Sequence, residues 1–197
     1  MREINQRRWV LGFLTVTISL GMVLISSACG QKDEAIIQAE AHEKNAAAFL
    51  DKADFAAAIE EYTLAITQNP KSDRAYEGRG IAYTEMKEYD LAVADLTKAI
   101  ELAPDRGGLY FERGIIYSKQ GNLDAAIADF SRAIGDRSKT RWRSALLERG
   151  LVYKAKGNLI EARADFERIV QLEVERPGEA DKAFAERAQE ELAELGR

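Results

Sequence analysis

An all-α fold, a solenoid of stacked helix pairs, is what this sequence predicts, and three observations predict it. Four columns of residues recur down the chain with one shared period. Those columns hold the small and aromatic side chains that closely packed helix pairs need. Prolines stand only at Pro70, Pro104 and Pro177, so most of the chain is free to be helical.

Phe49, Tyr83, Tyr117 and Tyr153 recur at intervals of 34, 34 and 36 residues. Ala58, Ala92, Ala126 and Ala162 keep those intervals, as do Tyr62, Leu96, Phe130 and Phe166. Ala46, Gly80, Gly114 and Gly150 fall in step with them. A repeat of this length is one supersecondary unit that cannot bury its own apolar face, so stacking carries the stability. The small residue in a first helix and the alanine in a second let two backbones approach. The aromatics fill the space between neighbouring pairs. Gly121-Asn122 and Gly157-Asn158 supply the turn between helices, where glycine tolerates positive φ. Ala53-Asp54 and Lys87-Glu88 do so less well.

The period and these residue types resemble the tetratricopeptide-repeat (TPR) family. Its pattern has a small residue eighth, an aromatic eleventh, Ala twentieth, an aromatic twenty-fourth, Ala twenty-seventh and Pro thirty-second. Repeats then start near Ala39, Asp73, Gly107 and Arg143, and the resemblance covers residues 39 to 174. Ala65, Ala99 and Ala133 fill the twenty-seventh place, with Ile169 the departure. Pro70 and Pro104 fill the thirty-second, whereas Ser138 and Val174 do not.

The elements follow in order. Residues 1–28 read as a signal peptide. Arg2, Arg7 and Arg8 give a basic start, no charge occurs from Trp9 to Gln31, and Ser26-Ser27-Ala28 precede Cys29, the single cysteine. This resembles a bacterial lipoprotein signal, with Cys29 as the site of lipid attachment (palmitate) and Ser26 standing where the pattern favours Leu. The alternative is an uncleaved transmembrane anchor, since the charge-free run is nearly long enough to span. Residues 29–38 form a lipidated tether and the start of the first helix. Four repeats follow, 39–72, 73–106, 107–142 (with an extended loop) and 143–176. Residues 177–197 hold a capping helix over Glu179 to Leu195, read as the first helix of an unpartnered fifth repeat with Phe184 fourth and Arg187 seventh. Glu186, Glu190, Glu191 and Glu194 give it the polar outer face that a solenoid terminus needs.

Arginine stands seventh at Arg79, Arg113, Arg149 and Arg187, and an acid twenty-third at Glu61, Asp95, Asp129 and Asp165. Pairing each arginine with the acid of the preceding repeat uses all eight residues and leaves Asn45 without a need for charge. The expectation is therefore a ladder between repeats: Arg79 with Glu61, Arg113 with Asp95, Arg149 with Asp129, and Arg187 with Asp165.

Composition excludes several function classes. Removal of residues 1–28 takes away Arg2, Arg7, Arg8 and Glu3, leaving 25 basic and 32 acidic side chains, a net charge of −7. Such a chain is repelled by phosphate backbones, so no nucleic-acid partner is expected. His42, the single histidine, stands at a packing position. Metal-ligand spacing is absent, and Gly107-Gly108 opens a helix and does not form a phosphate loop. No nucleophile, base and orienter can be assembled, so the expectation is a protein without catalytic residues, cofactor or metal.

The family resemblance implies that first helices line a concave face that holds protein or peptide ligands. Carried over position by position, that face presents Arg74, Glu77, Ile81 and Thr84, then Phe111, Ile115 and Ser118, then Ser144, Leu147, Leu151 and Lys154. Ile81, Phe111, Ile115, Leu147 and Leu151 make an apolar strip suited to a peptide with apolar anchors. The opposing reading is that position nine (Ile81, Ile115 and Leu151) is partly covered by neighbouring helices and belongs to the core. The Lys- and Asn-based clamp for a C-terminal carboxylate is unmatched, with Glu43 and Ala47 at the comparable places. A second candidate surface is the connection from Arg137 to Arg143, where four basic groups surround Trp142, set against the reading of a longer turn. The functional expectation is a membrane-anchored scaffold or adaptor binding an unidentified protein partner in the cell envelope. Self-assembly and, in a different class, an envelope hydrolase are the alternatives. Gly30 after the cysteine is not the Asp of an inner-membrane retention signal, so an outer-membrane, periplasm-facing location is expected for a host with two membranes.

Overall fold

The structure, a computed structural model, describes residues 34–135, 141–175 and 179–196, without the side chains of residues 141, 142, 175 and 179–181. The signal segment, Cys29 and the loop over 136–140 lie outside the described residues. Helix α1 spans 34–51. It is followed by α2 (Phe55–Gln68), α3 (Asp73–Glu85), α4 (Tyr89–Leu102), α5 (Gly107–Lys119), α6 (Leu123–Gly135), α7 (Arg141–Lys156), α8 (Leu159–Glu175) and α9 (Glu179–Leu195). No strand occurs among the described residues. From α2 onward each helix packs on the next in sequence, and α3, α5, α7 and α9 also touch in succession. This is the stacked-pair solenoid that the period predicts.

The repeated columns have repeated surroundings. A Cβ added at Gly114 or Gly150 would stand 2.8 or 2.6 Å from the ring of Phe130 or Phe166, and one at Gly80 would lie 3.1 Å from Leu96. In repeats two, three and four the eighth residue of the repeat is thus pressed against the twenty-fourth. Those partners, Leu96, Phe130 and Phe166, are fully buried, with Ala92, Ala126 and Ala162 beside them.

Each first helix ends in the same turn. Ala53, Lys87, Gly121 and Gly157 adopt φ of 57°, 62°, 75° and 83°. The next amide (Asp54, Glu88, Asn122, Asn158) donates to the carbonyl of Phe49, Tyr83, Tyr117 or Tyr153 at 2.8–2.9 Å. This is the Schellman closure, in which a left-handed residue lets the chain reverse while satisfying an orphan carbonyl. Second helices stop where proline forbids another turn: α2 at Gln68 before Pro70, α4 at Leu102 before Pro104. In repeat four Val174 replaces the proline, and α8 runs on to Glu175 with Val174 exposed.

The capping helix keeps the expected register only in part. The third and tenth positions of repeats two, three and four are buried: Ala75 and Ala82, Leu109 and Ile116, Ala145 and Val152. The sequence-based frame puts Ala183 and Glu190 at those places in α9, and both are exposed. Ala185, Ala188 and Glu191 are buried instead, and Leu192 packs on the core around Phe166. Ala188, the counterpart of Gly150, keeps the buried eighth place and Phe184 packs on the same core, so α9 matches a first helix only in part.

Candidate functional site

The ion pairs show how first and second helices are held, and they correct the expected ladder. Arg79 donates through Nε and Nη2 to both oxygens of Asp95, at 2.7 and 2.8 Å. Arg113 grips Asp129 in the same way at 2.8 and 2.9 Å, and Arg149 grips Asp165 at 2.8 and 2.7 Å. Each pair lies within one repeat, not between repeats. The cause is the glycine that follows each arginine, which brings the partner helix within reach of a planar two-pronged fork. The third nitrogen, Nη1, does cross to the preceding repeat, meeting a hydroxyl: Thr63 at 3.0 Å, Thr97 at 3.0 Å and Ser131 at 2.8 Å. Asp165 is thus taken by Arg149. Arg187 pairs along its own helix with Glu190 at 3.2 Å and Glu191 at 2.7 Å. In repeat one Glu61 accepts from His42 at 2.7 Å, so His42 is a polar tie, one helical turn before Asn45. The Asp hydrogen bonds hold the Arg79, Arg113 and Arg149 guanidinium groups above their ordinary pKa.

The first-helix side carries a hollow of about 310 Å³ at the N-terminal end. Helix α1 contributes Glu43, Ala47 and Leu50, and α3 contributes Arg74, Glu77, Gly78 and Ile81. Tyr62 of α2 and Arg106, which follows α4, complete the lining. Gly78 makes the hollow possible. A Cβ there would stand 2.1 Å from Cζ of Tyr62, so the bare backbone admits the tyrosine ring to the wall. Burial, and then the carboxylates of Glu43, Glu77 and Asp51, raise the Tyr62 pKa, which keeps the phenol protonated. Arg106 holds Asp73 and, at 2.6 Å, Glu77, while Ser72 holds Glu43. The result is an apolar notch of Ala47, Leu50 and Ile81, rimmed by carboxylates already engaged and by exposed Arg74.

Of the residues expected to face a partner, Arg74, Glu77 and Ile81 are brought together here. The Thr84 hydroxyl turns back to the Gly80 carbonyl at 2.8 Å. Phe111 and Ile115 pack against the core around Phe130, with the Phe111 and Phe130 rings 5.8 Å apart. Leu147 and Leu151 pack against the core around Phe166. The apolar strip is therefore shared with the core from repeat three onward. Ser118 and Ser144 are half-buried. Lys154 is engaged by Glu191 at 2.6 Å and Glu194 at 2.5 Å on the capping helix, which raise its pKa. Trp142 is the second residue of α7, and its side chain lies outside the described residues, as do residues 137–140. Sequence reasoning missed Leu50, Tyr62, Gly78 and Arg106. A signal was present: glycine stands sixth in repeat two, where Lys44, Glu112 and Glu148 stand elsewhere. Among the described residues no cluster of potential metal ligands occurs, and no helix is long and apolar enough to cross a membrane.

Comparison with known proteins agrees with this architecture. The solved MamA protein superimposes with a TM-score of 0.66 at 24% identity, over 82% of this chain and 93% of that one. The TPR domain of Arabidopsis OM64 gives 0.58 at 22%, over 61% and 98%. The first TPR of Spaghetti (RPAP3), solved with the HSP90 peptide SRMEEVD, gives 0.59 at 20%, over 62% and 95%. No curated protein matches the sequence. Tetratricopeptide-repeat profiles match residues 74–106 and 111–180, together more than half of the chain, and so the protein belongs to the tetratricopeptide-repeat family.

Proposed function

We propose that this protein is a membrane-anchored scaffold that docks a partner protein of the cell envelope through the hollow between α1 and α3. The observation that carries the reading is the apolar notch of Ala47, Leu50 and Ile81, opened by Gly78 and rimmed by charge. A notch of this kind takes one apolar side chain of a peptide, with the flanking charges setting direction. That a peptide occupies the related RPAP3 repeats supports a peptide-binding role. The ligand chemistry differs, however. Glu43 and Ala47 stand where a carboxylate clamp would need Lys and Asn, so an acidic C-terminal tail is disfavoured. An apolar anchor followed by a neutral or basic segment fits the hollow better.

The N-terminal sequence supports anchoring at Cys29 and an outer-membrane, periplasm-facing location. Incorporation of labelled palmitate, abolished in Cys29→Ala, tests the lipid. A photocrosslinker at Ile81, compared with one at exposed Leu64 on α2, tests the docking face in intact cells. Adducts with one partner from position 81 are expected. Adducts from position 64 alone would remove the hollow from consideration.

A further inference from the structure

Helices α3 and α5 begin at the first position of their repeats, Asp73 and Gly107. Helix α1 is already formed at residue 34, five residues before the first position of its repeat at Ala39. More than one helical turn therefore projects beyond the array, and it carries Ile36 and Ile37 at 43% and 65% exposure. Chain length then decides what lies beside them. The charge-free run from Trp9 ends at Gln31, and Cys29 precedes the helix by only residues 30–33. Four extended residues reach about 14 Å. Whether Cys29 carries acyl chains or the run is retained as a span, the bilayer boundary falls within that distance of Glu34.

We infer that the projecting turn of α1 lies in the headgroup layer of the bilayer, with Ile36 and Ile37 as a second membrane contact beside the anchor. The inference rests on the anchoring proposed above. Asp33, Glu34 and Glu40 outnumber Lys32 around the two isoleucines, so the contact does not draw on anionic lipid, and it operates on a zwitterionic surface. The same acids keep the turn from sinking past the headgroups. Two exposed apolar side chains bind a membrane only marginally by themselves. Tethering makes the contact intramolecular, which raises the effective lipid concentration at the turn. The consequence is orientational: the first helix is held at a fixed end, and the hollow beside Ala47 and Leu50 is presented at a set height above the surface.

The test uses the full chain bound to phosphatidylcholine vesicles, with flotation measured in parallel. In Ile37→Trp the emission added over the parent chain is expected to be blue-shifted, and largely lost when the vesicles contain brominated lipid. In Ala48→Trp, on an exposed position about 16 Å farther along α1, the added emission is expected to remain. Flotation without quenching at position 37 overturns the contact while leaving the anchor standing. Equal quenching at both positions overturns its restriction to the first turn. A disulfide-linked dimer formed by Ile37→Cys, absent from the parent, assigns the turn to a second copy and overturns the inference. Failure to float overturns anchor and contact together.

Discussion

The two ends of the array are built differently. At the C-terminal end α9 turns Lys182, Glu186, Arg187 and Glu190 to solvent, and its apolar side rests on α8. At the N-terminal end Ile37, Ala41 and Ala48 are exposed on α1. In α3, α5 and α7 the equivalents of the two alanines are buried under a preceding helix. Repeat one also carries the weaker version of each device. Its tie is one hydrogen bond from His42 to Glu61, where later repeats have a two-pronged arginine. Its turn places Ala53 in the left-handed region that glycine occupies at Gly121 and Gly157. The architecture nevertheless persists, because small-against-large packing is retained throughout. Packing specifies the fold, and ties and turns adjust its stability from repeat to repeat.

The largest test of that contrast removes a wedge. Phe166 is fully buried, with its ring against Gly150. Phe166→Ala is expected to cost about 3–5 kcal/mol, read as a fall in the urea midpoint, with loss of protection in α7 to α9 by hydrogen exchange. If α2 and α3 lost protection equally, the two ends would be one cooperative unit and the contrast would fail.

The ties come next. Asp165 is 8% exposed and receives both prongs of Arg149, so Asp165→Ala leaves a half-buried guanidinium without its partner. A cost of about 1–3 kcal/mol is expected. His42→Ala loses a single hydrogen bond between groups 29% and 23% exposed, and about 0.5–1 kcal/mol is expected. Chemical denaturation of both variants measures the ratio, and equal costs would remove the distinction between repeat one and the others.

The sequence showed the period, the packing columns and the turn positions, because these follow from side-chain volume and backbone freedom at single sites. It misplaced the ion pairs. Counting arginines and acids along the chain could not show that Gly80, Gly114 and Gly150 draw each arginine toward its own second helix. In α9 the match is partial: Ala188 is buried as Gly150 is, but Arg187 pairs along its own helix with Glu190 and Glu191. Of the hollow, Arg74, Glu77 and Ile81 were legible from their positions. Its depth was not, since it depends on Tyr62 entering the space left by Gly78.

The turns offer a smaller effect with opposite signs at the two ends. Lys87 and Ala53 hold φ of 62° and 57°, a conformation in which a Cβ crowds the following carbonyl. Lys87→Gly and Ala53→Gly are each expected to stabilise by up to about 1 kcal/mol, and Gly157→Ala to destabilise by about as much. The gain is partly offset by the greater freedom of glycine in the unfolded chain. Thermal denaturation of the three variants reads the sign directly.

The smallest effect compares the sixth position at the two ends. Lys44 of α1 is exposed there. Glu148 of α7 is half-buried at the same position, and burial raises its pKa above the ordinary carboxyl value. An acid whose folded pKa is raised opposes folding in its charged form. That opposition is absent below the unfolded value, about 4.3 for Glu, and complete once the pH passes the folded value. Glu148→Gln keeps the shape and removes the charge. It is expected to match the parent in Tm at acid pH and to exceed it at neutral pH, with the difference opening as pH rises from the unfolded value to the raised one. Lys44→Gln, at a site already in water, is expected to show no such opening. A pH-independent difference for Glu148→Gln would mean that the fold does not desolvate this carboxylate, and the sixth position of repeat four would then be as solvated as Lys44.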